Sequence, residues 1–212
     1  MGNRAVITTE DKKIGIYLRW NGGRDSVEPF LAYCKLKGYR EPENDCYGWA
    51  RLCQVIGNYT GGSTSIGIDT LDSLDCDNYD NGMYIIKGWE IVGRMYSHGE
   101  QSHYDFKEML ISIDEAQPEN EQLGKEFLQA DIVDSSNLKV GDVVFLQDFT
   151  GDVGKHTITG QITTQEVLKG NQVSKSNGHN VLNKFFIDKY DDVCNHRNIN
   201  NFLLDENYRI SK

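Results

Sequence analysis

The spacing of apolar and polar positions changes several times along the chain. Arg4–Thr9 and Ile14–Trp20 are β-branched and aromatic runs joined by Glu10-Asp11-Lys12-Lys13, which predicts a hairpin with a charged turn. After Asn21-Gly22-Gly23 the period lengthens. Val27, Phe30, Leu31 and Cys34 fall on one helical face, Asp25 and Glu28 have capping-box spacing, and Gly38 supplies a stop. A second helix is expected from Cys46 to about Ile56, capped by Asn44 or Asp45. Gly57–Gly67, rich in Gly, Ser and Thr, reads as a loop, and Asp69–Asp80 as an acidic loop. Met83–Ile86 and Glu90–Tyr96 predict another hairpin around Lys87-Gly88. The clearest helical spacing belongs to Phe106, Met109, Leu110 and Ile113, ended by Pro118, with a short helix expected over Glu121–Ala130.

From Leu138 the pattern turns strand-like. Gly141–Gln147 and His156–Thr163 predict strands around a turn at Asp148–Lys155, and Asn183–Tyr190 and Phe202–Ile210 predict more. The expected fold class is α+β. N-terminal hairpins and packed helices fill residues 1–135, and a β-rich antiparallel third fills 136–212, the two packed as one compact unit.

Composition narrows the function classes. A chain of 212 residues with 38% hydrophobic and 10% aromatic residues suits a folded core without staples. No apolar run approaches the ~20 residues that cross a bilayer, so no membrane association is expected. Met1-Gly2-Asn3-Arg4 opens no apolar signal segment, which points to a cytoplasmic protein. The cysteines, Cys34, Cys46, Cys53, Cys76 and Cys194, are odd in number and irregular in spacing, so reduced thiols are expected. A formal charge of −10 repels phosphate backbones and argues against direct nucleic-acid binding.

Candidate chemistry is sparse, and no cofactor or metal is expected. The Gly57–Gly67 stretch lacks the Gly-Lys-Ser/Thr ending of a phosphate-cradling loop. A weak alternative has its backbone amides hold a phosphorylated signal molecule. The acidic loop is short of a calcium site, because Tyr79 stands at a ligand position and Gly88 where a bidentate Glu belongs. Its carboxylates, Asp69, Asp72, Asp75, Asp77 and Asp80, with Tyr79 and Tyr84, read either as a solvated loop with core-facing tyrosines or as a contact surface for a basic partner. Cys46 in the first turn of a helix meets unpaired N–H groups and the positive end of the macrodipole, which favour a thiolate. A histidine opening a downstream strand, His156, supplies a candidate base, so Cys46 reads either as a nucleophile or as a helix-end packing residue.

Two resemblances follow. Asp45-Cys46-Tyr47-Gly48-Trp49-Ala50 and Leu138–Gly160, with Gly141-Asp142-Val143-Val144-Phe145 and His156, resemble the NlpC/P60 and CHAP-like cysteine hydrolases. That resemblance implies amide hydrolysis with Cys46 as nucleophile and His156 as base. Tyr47 departs from the small residue that usually follows the nucleophile. Met1–Thr8 and Ile16-Tyr17-Leu18-Arg19-Trp20-Asn21-Gly22-Gly23, continuing through Asp45–Gly62 and Gly82–Val92, resemble small uncharacterised proteins of bacterial prophages and mobile elements. That setting implies a non-enzymatic inhibitor of a host defence protein, of the anti-CRISPR kind, and this is the leading expectation.

Overall fold

A central strand with both faces buried organises the first half of the chain. In the computed structural model, β1 (Ala5–Thr9) is buried at every residue. It pairs antiparallel with β2 (Ile14–Leu18) and parallel with a later strand, β4 (Met83–Lys87). Adding β3 (Ile66–Thr70) and β5 (Glu90–Met95) gives a five-stranded sheet in the order β3-β2-β1-β4-β5. The structure describes residues 2–63, 65–99, 101–133, 138–147, 151, 153–162, 183–187, 202–204 and 209–211. Within these the chain is a mixed α+β protein.

The helices follow the apolar spacing, with instructive exceptions. α1 (Arg24–Leu36) buries Val27, Phe30, Leu31 and Cys34, and Gly38, at φ 63°, follows its C-cap in the left-handed conformation that ends many helices. Its N-cap is Gly23, not the expected Asp25. The capping box fails because Glu28 Oε2 is engaged by Arg24 Nε at 3.1 Å and by the Tyr104 hydroxyl. α2 (Cys46–Tyr59) begins where expected, with Asp45 Oδ1 accepting the Tyr47 N–H at 2.8 Å. It runs past Ile56 and packs Tyr59 edge-on against Phe30, with ring centroids 5.4 Å apart.

α3 (Phe106–Glu115) is capped by Asp105 and packs on α1. The helix expected over Glu121–Ala130 is interrupted. A 3-10 turn at Glu119–Glu121 gives way to Gly124 at φ 90°, and only α4 (Lys125–Gln129) is helical. Buried Asp114 holds this break, accepting the Leu123 N–H at 2.6 Å and the Gly124 N–H at 2.9 Å. Burial pushes its carboxyl above the ordinary range, against the pull of those two N–H groups.

The link from β3 to β4 also differs from a simple loop. A 3-10 turn at Leu71–Ser73 lets Leu71 and Leu74 lie over the sheet beside Val6, at the bare backbone of Gly15. A Cβ on Gly15 would stand 2.7 Å from Leu74 Cδ1 and 3.1 Å from Val6 Cγ1. The acidic segment is thus anchored by its leucines.

Contacts divide the chain into two compact units, Met1–Leu128 and Gln129–Lys212. The second contains β6 (Val143–Gln147), β7 (Val153–Ile162), β8 (Asn183–Ile187), β9 (Phe202–Leu204) and β10 (Arg209–Ser211), antiparallel in the order β10-β6-β7-β8-β9. The single strand expected over Phe202–Ile210 is two short strands on opposite edges of this sheet. The β-rich antiparallel character of the C-terminal third is as expected. Asp134–Asn137, Asp148–Thr150 and Asp152 of the expected Asp148–Lys155 turn, Cys194 and the Asn-rich stretch Asn195–Asn201 lie outside the described residues, while Val153–Lys155 belong to β7 rather than to the turn.

Candidate functional site

The acidic segment folds around one buried amide. Asn78 is fully buried and bonds through both polar atoms of its side chain. Nδ2 donates to the carbonyls of Asp75 (3.3 Å) and Gly82 (3.1 Å), while Oδ1 accepts the N–H groups of Asp80 (3.2 Å) and Gly82 (3.0 Å). Two donors and two accepted bonds fill the capacity of a carboxamide. Gly82 closes the loop at φ 64°, where a Cβ would run into the Met95 and Tyr96 carbonyl groups. Arg4 Nε meets Asp80 Oδ2 at 2.7 Å, Asn81 bonds to Asn3 and to the Arg4 carbonyl, and Arg94 donates to the Asn81 carbonyl. The segment is tied down on three sides.

What this scaffold presents is Tyr79. It is 76% exposed, sits at φ 57° in the left-handed region, and stacks on His98 with centroids 6.0 Å apart and planes 13° from parallel. A bulky residue is uncommon in that conformation, and it persists here because its neighbours' amides are fixed by Asn78. His98 Nε2 lies 3.8 Å from Asp77 Oδ1. Tyr96, also at positive φ, is 49% exposed on the same end of the sheet, next to the Gly82 backbone.

The expected contact residues separate into two groups. Asp72, Asp75, Asp77 and Tyr79 face outward around the loop. Asp69 lies on edge strand β3 and accepts the Thr70 N–H at 2.7 Å. Asp80 turns inward: its side chain is 15% exposed, and the Arg4 guanidinium holds its carboxyl below the usual carboxylate range. Tyr84 leaves the surface altogether. It is fully buried on β4, donates its hydroxyl to the Gly22 carbonyl at 3.0 Å, and lies under the Arg94 guanidinium, 3.7 Å from the ring centroid. This corrects the expected surface role: Tyr84 is covered by Arg94 of the neighbouring strand β5 and by the turn at Gly22, neither close to it in sequence. The sequence singles out neither Asn78 nor Tyr96, and it raises Gly82 and His98 only as candidates for calcium and metal sites. The signal for Asn78 and Gly82 was local, an Asn four residues before a Gly in a stretch of turn-forming residues.

Cys46 is exposed at the first position of α2. The Asp45 carboxylate beside it receives the Tyr47 N–H, the Arg40 guanidinium and the Cys46 thiol, which hold it below the ordinary range. His156 is buried on β7, opposite Val144, with its imidazole over Gly154. Cys46 belongs to the first compact unit and His156 to the second.

The other cysteines of the first unit behave as core or near-core groups. Burial raises the Cys34 thiol strongly and pushes Cys53 up to about 11. Gly57–Gly67 is not one loop. Gly57 lies in α2, Gly61 and Gly62 make a left-handed turn, and Ile66 begins β3. No helix among the described residues is long and apolar enough to cross a membrane. No protein-family profile matches the chain, and neither a curated protein nor a solved structure is significantly similar to it.

Proposed function

We propose that this chain is a non-enzymatic binding protein that inhibits a host defence component in the cytoplasm, with the Tyr79 loop as its contact surface. One observation carries the reading. A tyrosine that is 76% exposed is presented on backbone fixed by a fully buried asparagine, among outward-facing carboxylates. An ordered aromatic anchor loses little conformational entropy on docking. Tyrosine is among the residues that dominate interface energies, and the surrounding aspartates steer and select a basic partner. The resemblance to small prophage and mobile-element proteins supplies the setting. A nucleic-acid-handling defence effector, with a basic groove, is the partner whose charge fits best.

The test is infection of bacterial hosts carrying individual nuclease-based defence systems, with and without the expressed chain. Restored plaque formation against one system, abolished by Tyr79→Ala and by Asp75→Lys with Asp77→Lys, is the expected result. Protection that persists in all these variants, or no effect on any system, would overturn the reading.

A further inference from the structure

Beyond the Tyr79 surface, we infer that the cleft lined by Gly2, Arg4, Tyr17, Arg19 and Trp20 binds a nucleoside monophosphate. The cleft has a volume of about 570 Å³, within the size range of small-molecule sites. Its lining is unusual for a chain of net charge −10: two arginines, a tyrosine and a tryptophan share it, and no carboxylate lines it among the described residues. Neither Tyr79 nor His98 belongs to it.

Each lining group is set by the fold. Arg4 immediately precedes β1 and is held by Asp80, with Nε to Oδ2 at 2.7 Å. Arg19 is fixed at its backbone, where its N–H donates to the Ser65 carbonyl at 3.0 Å. Its side chain is exposed and forms no ion pair among the described residues. Trp20 is 46% exposed, yet its backbone is not a loose tip. Asn21 turns the chain at φ 56°, and the Gly22 N–H returns to the Asn3 carbonyl at 2.8 Å. A partly exposed indole therefore lines the same cleft as Arg19, a guanidinium with no ion pair among the described residues.

These features match the two halves of a nucleotide. An indole or phenol face stacks a base without regard to its identity. A guanidinium presents a planar fork of donors suited to phosphate oxygens. The charges limit the ligand further. Asp80 balances Arg4, so among the described lining residues Arg19 is the cation without an ion pair, which suits a monophosphate and disfavours a triphosphate near the Asp80 carboxylate.

Isothermal titration of the full chain with adenosine monophosphate, adenosine and inorganic phosphate tests the site. Saturable binding of the monophosphate is expected, with adenosine and inorganic phosphate each weaker by roughly tenfold or more. Arg19→Gln and Trp20→Leu, both at exposed positions, should each weaken it by roughly tenfold while melting like the parent chain. No saturable binding at millimolar monophosphate would overturn the inference. So would binding that survives both substitutions, or phosphate alone binding as tightly as the nucleotide, which would mark a simple anion patch.

Discussion

Asp45-Cys46-Tyr47 and Asp77-Asn78-Tyr79 are the same Asp-x-Tyr pattern placed in two settings, and their polar atoms do opposite jobs. In the first, the aspartate is the helix cap: Oδ1 takes the Tyr47 N–H and Oδ2 takes Arg40, so the carboxylate serves the fold. Tyr47, 65% exposed, has the Arg40 guanidinium 6.0 Å from its ring centroid. In the second, the middle residue takes over the capping. Asn78 binds the backbone on both sides, which leaves the Asp77 carboxylate facing His98 and solvent and leaves Tyr79 outermost. A charged group available to a partner is one whose structural job is done by a neighbour.

The largest effect is expected at that neighbour. Asn78→Ala removes four hydrogen bonds from buried or part-buried backbone groups and should cost about 3 kcal/mol in denaturant unfolding, with loss of the Tyr79 surface. Tyr79→Ala should leave stability within about 0.5 kcal/mol, yet weaken partner affinity by about 2 kcal/mol, measured by titration once the partner is in hand. Asp45→Ala should destabilise by about 1 kcal/mol through loss of the α2 cap, whereas Asp77→Ala should be near neutral in the same unfolding assay. That pair of values tests the comparison directly, since equal costs would contradict it.

A smaller effect is expected from acid. Arg4 depresses the Asp80 carboxyl below its unfolded value near ~3.9, so its stabilisation is fully present above that value. It is lost as pH falls through the lower folded value. The amides of the 74–82 segment should therefore broaden or shift by NMR only below about pH 4, and Asp80→Asn should remove that transition. Smallest of all, Cys46→Ala should leave defence inhibition unchanged. A loss of inhibition with that variant, in a protein that still folds, would favour the hydrolase reading of Cys46.

Local signals were readable in the sequence, and the rest depended on distant partners. The β1–β2 and β4–β5 hairpins, the Asp45 cap and the α3 face each rest on residues close in the chain. The parallel pairing of β1 with β4 does not, because Val6 meets Met83 only after two strands and two helices intervene. Tyr84 looked available for the same reason, since alternation marks a strand but not whether it is central. The Asp25–Glu28 capping box is replaced by contacts across the fold, with the Asp25 N–H going to Gln101 Oε1 at 3.1 Å and the Tyr104 hydroxyl to Glu28. Asn78 was hidden by its residue type. An asparagine in an acidic stretch suggests solvent, and only the closed loop shows its amide facing inward.

The central claim is that the Tyr79 surface is built before any partner arrives. Amide hydrogen exchange at Asp80 and Gly82 measures it most directly, because both N–H groups end on Asn78 Oδ1. Slow exchange in the free protein, abolished by Asn78→Ala while β1 amides stay protected, is the predicted result. Exchange at both sites as fast as in an unstructured chain would contradict it.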